Sequence, residues 1–147
     1  MTAVRHTGIV VGDIERALEF YCGLLDFSVV RRMLEKGPFV SAILGVADAE
    51  VETVKLSGEG TGQIELLAFA KPDTTLGVAP SLFRQGPTHV ALKVRDIDAL
   101  YLRMRDKGIE FTTPPRVSPD GGAKVTFCRD PDGTFLELVE VLQKAAS

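Results

Sequence analysis

The chain has only two histidines, and each opens an apolar run that closes on Asp-Ile: HTGIVVGDI at 6–14 and HVALKVRDI at 89–97. Two glutamates, Glu65 in IELL and Glu137 in LELV, sit in the middle of other apolar runs. An ionised carboxylate among apolar neighbours is costly unless it is paired or binds a cation. Imidazole and carboxylate donors without a thiolate suit Zn, Ni, Co, Mn or Fe(II), and the Irving–Williams order leaves the choice open. His6, Glu65, His89 and Glu137 are therefore candidate ligands of one divalent cation. Taken singly, a strand histidine or glutamate is more often hydrogen-bonded or solvated. Their matched placement is what points to a metal site.

The elements that must position them repeat. His6–Val11 is short and β-branched, and Asp13 offers an N-cap to IERALEFYCGLL, where Ile14, Ala17, Leu18, Tyr21 and Leu25 form one stripe. Strand candidates follow at FSVVRRML, VETVKLS and GQIELLAF, with GEGTG (58–62) as a turn, and FVSAILG (39–45) reads as strand or loop. After a Pro- and Gly-containing stretch at 71–87 the pattern restarts. His89–Val94 is a strand, and Asp96 caps a helix carrying Ile97, Leu100, Tyr101 and Met104. IEFTTPPRV, AKVTFCR, the turn DPDG and FLELVEVL complete the half. Seven residues separate His from Asp in both halves, whereas His-to-Glu separations are 59 and 48, placing about eleven extra residues near 35–50. This is an internal duplication: a first module at 1–70, a linker at 71–87 and a second module at 88–147, together one structural domain.

Strand alternation sends the apolar Ile9/Val11 and Leu92/Val94 toward the helices and both histidines to the other face, beside the small Gly8 and Ala91. Lys93 shares the ligand face and is a candidate substrate contact. Glu140 falls on the face opposite Glu137 and is expected in solvent.

The chain's 147 residues suffice for one ordinary core. A net charge of −3 excludes a concentrated basic face and hence nucleic acid. No apolar run approaches the roughly 18 residues of a membrane span, and no signal-peptide pattern opens the chain, so a cytoplasmic protein is expected. Cys22 and Cys128 are too few for a disulfide framework and are expected reduced and buried.

HTGIVVGDIERALEFYCGLLDF, HVALKVRDI and DPDGTFLELVE together resemble the vicinal oxygen chelate superfamily, the group of glyoxalases, bleomycin-resistance proteins and extradiol dioxygenases. The resemblance spans residues 4 to 142 and is strongest to members of the glyoxalase I and methylmalonyl-CoA epimerase kind. It implies an α+β fold of two tandem βαβββ modules whose curled mixed sheets surround a central metal. It also implies ligands from the first and last strands of each module, here His6, Glu65, His89 and Glu137. Glu137 or Glu65 would then double as the proton-transferring base. Bacterial glyoxalase I enzymes carry Arg four residues after the first ligand His and Asn four after the first Glu, both serving glutathione. Val10 and Phe69 stand there, giving an apolar pocket wall. The implied function is a divalent-metal-dependent glyoxalase-type lyase, isomerase or epimerase acting on a small carbonyl or enolisable oxygen-rich substrate without glutathione. An Fe(II) extradiol-type dioxygenase and a non-catalytic drug- or metabolite-binding protein are the alternatives. The implied assembly is a homodimer, with a small molecule as the other partner.

Overall fold

The apolar residues after His6 form strand β1 (Thr7–Val10), the edge of a four-stranded sheet. The computed structural model describes residues 1–60, 62–74 and 79–143. The GEGTG turn therefore includes one residue, Thr61, outside the described set, and the expected linker includes four, at 75–78. The chain divides into two compact units, Met1–Gly77 and Val78–Ser147.

In the first unit, α1 (Ile14–Leu18) runs on as a π-helical segment over Glu19–Leu24. Strand β2 (Ser28–Lys36), helix α2 (Pro38–Leu44), β3 (Glu50–Ser57) and β4 (Gln63–Lys71) follow. The sheet order is β1-β4-β3-β2, with β1 parallel to β4 and the other pairs antiparallel. The second unit repeats it: β5 (His89–Lys93), α3 (Ile97–Asp106), β6 (Arg116–Val117), β7 (Ala123–Arg129) and β8 (Phe135–Val141), in the order β5-β8-β7-β6. Again the first strand lies parallel to the last. The α+β class and the two βαβββ modules expected from the sequence are present.

One face of each sheet takes the helix. Ile9, Val54, Leu56, Ile64 and Leu66 are buried in the first unit together with Ala17, Phe20 and Tyr21. Cys128, Leu136 and Leu138 are buried in the second with Ile97, Leu100 and Met104. Each fully buried large apolar side chain contributes roughly 1.5–3 kcal/mol, so stability resides on these faces and the opposite faces are left for chemistry.

Several local expectations are corrected. Residues 39–45 lie in α2 and its cap rather than in a strand or loop. Pro38 presets the first turn, and Gly45, at φ +70°, closes the last by donating to the Ala42 and Ser41 carbonyls. This insertion supplies the extra residues of the first module and buries Val40 against Ala49 and Val51. Phe20 joins Ala17 and Tyr21 in the core because the π-helical turn, with Leu25 N–H donating to the Phe20 carbonyl at 3.3 Å, widens the inward arc. IEFTTPPRV gives only the short β6 and an isolated bridge between Phe111 and Cys128, since Pro114 and Pro115 lack a backbone donor. Of the cysteines, both free, Cys128 is buried but Cys22 is only partly so.

Helix starts are fixed as the sequence indicates. Asp13 Oδ1 accepts from Arg16 N–H at 2.9 Å, and Asp96 Oδ1 accepts from Ala99 N–H at 3.2 Å. Glu140 is not solvated as expected. Its Oε2 accepts from Ile97 N–H at 2.9 Å, capping α3 from β8. In the DPDG turn the buried Asp130 accepts from the Asp132 and Thr134 N–H groups, both at 2.9 Å, and so sets the register of the β7–β8 hairpin.

Candidate metal-ligand pairs

Each unit places one histidine beside one glutamate. In the first, Gly8 of β1 lies opposite Glu65 of β4, and His6, just before β1, projects from the same side two residues earlier. His6 Nε2 is 3.8 Å from Glu65 Oε1. In the second, Ala91 lies opposite Glu137, and His89 Nε2 is 3.3 Å from Glu137 Oε2. The small residue opposite each carboxylate clears the space into which the imidazole reaches. Both pairs lie on the sheet face away from the helix, and all four side chains are partly accessible. Among the described residues no three His, Cys, Asp or Glu side chains form a group that could hold an ion, so the structure brings the candidate ligands together in twos.

The pairs fit a divalent cation in two respects. Ligands about 2.0–2.2 Å from one ion lie about 3.0–3.5 Å apart, close to the separations within each pair. His89 Nδ1 is 2.8 Å from Thr88 Oγ1, and if the hydroxyl accepts there, the Nε2 lone pair faces Glu137. His6 Nδ1 is buried without a hydrogen-bond partner, so the first pair lacks the support that Thr88 gives the second.

The surroundings differ between the units. Opposite Glu65 on β3 stands Lys55, whose Nζ is 3.9 Å from Glu65 Oε2. Opposite Glu137 on β7 stands Phe127, whose ring meets that of His89 edge-on, centroids 5.1 Å apart. A cleft of about 120 Å³ adjoins Glu65, and a larger cavity of about 460 Å³ is bounded by Phe127, Phe135, Arg129, Phe111 and Phe83. The Arg129 guanidinium covers the Phe135 ring at 4.1 Å. Thr88, Lys55 and Phe127 were not singled out from the sequence. Lys55 and Glu65 are equidistant from Gly60, and Phe127 and Glu137 from Asp132, so hairpin register was the available signal. Of the expected pocket residues, Val10 is about half exposed, Phe69 packs on the Val40–Ala49–Val51 cluster and Lys93 is exposed. None of the three lines either cavity.

Known proteins share this plan. A probable lactoylglutathione lyase of Synechocystis is 30% identical over 142 residues, covering 95% of both chains. A glyoxalase family protein of Bacillus cereus superposes with a TM-score of 0.87 at 22% identity, covering 97% of this chain and 96% of that one. One from Enterococcus faecalis gives 0.65 at 27% identity, covering 94% and 97%. Residues 3–138 match the sequence pattern of one protein family. The chain belongs to the Glyoxalase/Bleomycin resistance protein/Dioxygenase superfamily.

Proposed function

We propose that the chain is a divalent-metal-dependent lyase, isomerase or epimerase of the glyoxalase type, acting on a small enolisable carbonyl compound. One observation carries this: two duplicated strand pairs each set a histidine beside a glutamate, opposite a small residue, on the helix-free face. In this reading His6, Glu65, His89 and Glu137 together hold one ion, whether both pairs come from one chain or from two copies. When bound, the ion would act as a Lewis acid on substrate oxygens and acidify the adjacent C–H. Glu137 is assigned the proton transfer, because its cross-strand neighbour Phe127 brings no charge to compete for the carboxylate, which stays partly open to a ligand. Glu65 is the alternative base, facing the Lys55 ammonium.

The proposal extends to substrates without glutathione. Val10 is apolar, and Phe69 is committed to packing, so neither position supplies a donor for a glutathione carboxylate. A cytoplasmic homodimer completes it. Apolar side chains exposed on edge strand β2 (Val29, Val30, Leu34) and on α2 (Phe39, Ile43) favour association. A second reading, a glutathione-dependent lactoylglutathione lyase, is favoured by the name of the Synechocystis relative.

The test is metal analysis of purified protein followed by assays on methylglyoxal and related hydroxyketones, with and without glutathione, in deuterated solvent. Near-stoichiometric divalent metal and solvent deuterium at a substrate carbon are expected. Turnover only when glutathione is present would select the second reading. Absence of metal binding after reconstitution would overturn both.

A further inference from the structure

The two ligand faces differ most in the residue beside the glutamate. In the first unit Gly8, Glu65, Lys55 and Arg31 form one row across the four strands, all register partners in turn. The matching row of the second unit reads Ala91, Glu137, Phe127. The first unit thus has an ammonium where the second has a ring. Lys55 and Arg31 line the 120 Å³ cleft with Met33, Glu35, Thr53 and Glu65. The Lys55 side chain is only 23% exposed, and Arg31 enters no ion pair among the described residues.

An ammonium 3.9 Å from an oxygen that is to ligate a divalent cation works against that cation. It competes for the carboxylate and repels the ion, and a second cation on the next strand adds to the repulsion. Glu35, the other carboxylate of the cleft, offsets one of the two positive charges. A metal site alone would be better served by an apolar residue at position 55, as the second unit has at Phe127. A negative group brought by the substrate removes the conflict. It would pair with Lys55 and Arg31 while its carbonyl oxygens reach the ion.

We propose that Lys55 and Arg31 form a subsite for an anionic group of the substrate, a carboxylate or a phosphate, so that the substrate is an anionic carbonyl compound. This rests on the reading of Glu65 as a metal ligand.

Calorimetric titration tests this with two matched pairs of probes, dihydroxyacetone phosphate against dihydroxyacetone and 2-oxoglutarate against 2-oxovalerate. Each pair shares its vicinal oxygens and differs in the remote anion, and the better pair identifies phosphate or carboxylate. Zinc-loaded protein should bind at least one charged probe about tenfold more tightly than its partner, the scale of one charge-assisted hydrogen bond. Lys55→Met should abolish that preference and, in chelator competition, tighten zinc about tenfold, because a repelling charge is gone. Lys55→Arg should keep the preference. Equal binding within both pairs, or a preference that survives Lys55→Met, would overturn the subsite. The same titrations on metal-free protein separate the two readings. If zinc does not bind the wild type, a Lys55-dependent preference still upholds the subsite while the metal assignment falls, and its absence there removes both.

Discussion

Thr88→Val isolates the contribution of one hydroxyl to metal affinity. Thr88 Oγ1 is 2.8 Å from His89 Nδ1, and His89 Nε2 is 3.3 Å from Glu137. When the hydroxyl accepts from Nδ1–H, it selects the tautomer with a free Nε2 lone pair and holds the ring toward Glu137. Valine keeps the shape and deletes the acceptor. A neutral hydrogen bond contributes about 0.5–1.5 kcal/mol, and loss of a partner behind a metal-bound histidine typically costs about 10–100-fold in affinity. Two features place this site at the lower end. The Phe127 ring, edge-on at 5.1 Å, still restrains the imidazole, and His89 is open enough for water to reach Nδ1. The expected loss is therefore about tenfold in zinc affinity, or about 1.4 kcal/mol. Competition against a chromophoric chelator reads this directly. Thermal stability of the metal-free protein, measured alongside, should fall by less than about 1 kcal/mol, because the site is exposed. The reasoning is refuted if zinc affinity stays within twofold of wild type, or if affinity and metal-free stability fall together.

Glu140→Gln removes the charge that β8 offers to the first turn of α3, and should cost about 1 kcal/mol, seen as a lower urea midpoint with an unchanged slope. Gly45→Ala forces a side chain into φ +70° and should cost about 1 kcal/mol, whereas Gly23→Ala, with nothing within 4 Å and no such φ, should cost nothing in the same denaturation assay. Burial first, and Asp130 second, push the Cys128 thiol up to about 12, so a thiol reagent at pH 8 should modify Cys22 well before Cys128. The sign for stability follows. The unfolded thiol ionises near 9 while the folded one stays protonated, so its contribution is complete below pH 9 and is lost as pH rises from 9 to 12. That loss is at most roughly 4 kcal/mol, and Cys128→Ala should flatten this part of the alkaline unfolding profile.

The duplicated phrases could be read directly because each combines a rare residue with a fixed distance to a helix cap. His6–Asp13 and His89–Asp96 therefore located β1, β5, α1 and α3 together. Burial parity then put the histidines opposite the helices, and the structure has them there. The same parity misplaced Glu140. Being opposite Glu137 puts it on the helix side, where the open first turn of α3 awaits an acceptor rather than solvent. Residues 39–45 were ambiguous because FVSAILG is apolar at both helical and strand spacings. The deciding signals were its flanks, Gly-Pro at 37–38 and Gly45. The π-helical turn has no sequence signature in EFYCGL, and only the burial of both Phe20 and Tyr21 reveals it. Lys55 and Phe127 needed a different rule. Alternation within one strand assigns a face, but only hairpin register assigns a neighbour.

That last distinction bears on how a duplicated fold acquires a specific substrate. The His–small–Glu geometry depends on a parallel pair between first and last strand, and both units keep it to the residue. The third strand contributes nothing to that pair, so its residue opposite the glutamate is free to differ without disturbing the fold. Lys55 and Phe127 occupy that position in the two halves. They give one carboxylate a cationic neighbour and the other an aromatic one. In the proposed function, the metal chemistry would be kept on the outer pair of strands while selectivity would be set one strand further in. A substitution there changes charge and shape beside the proposed ligands without altering which atoms are proposed to serve.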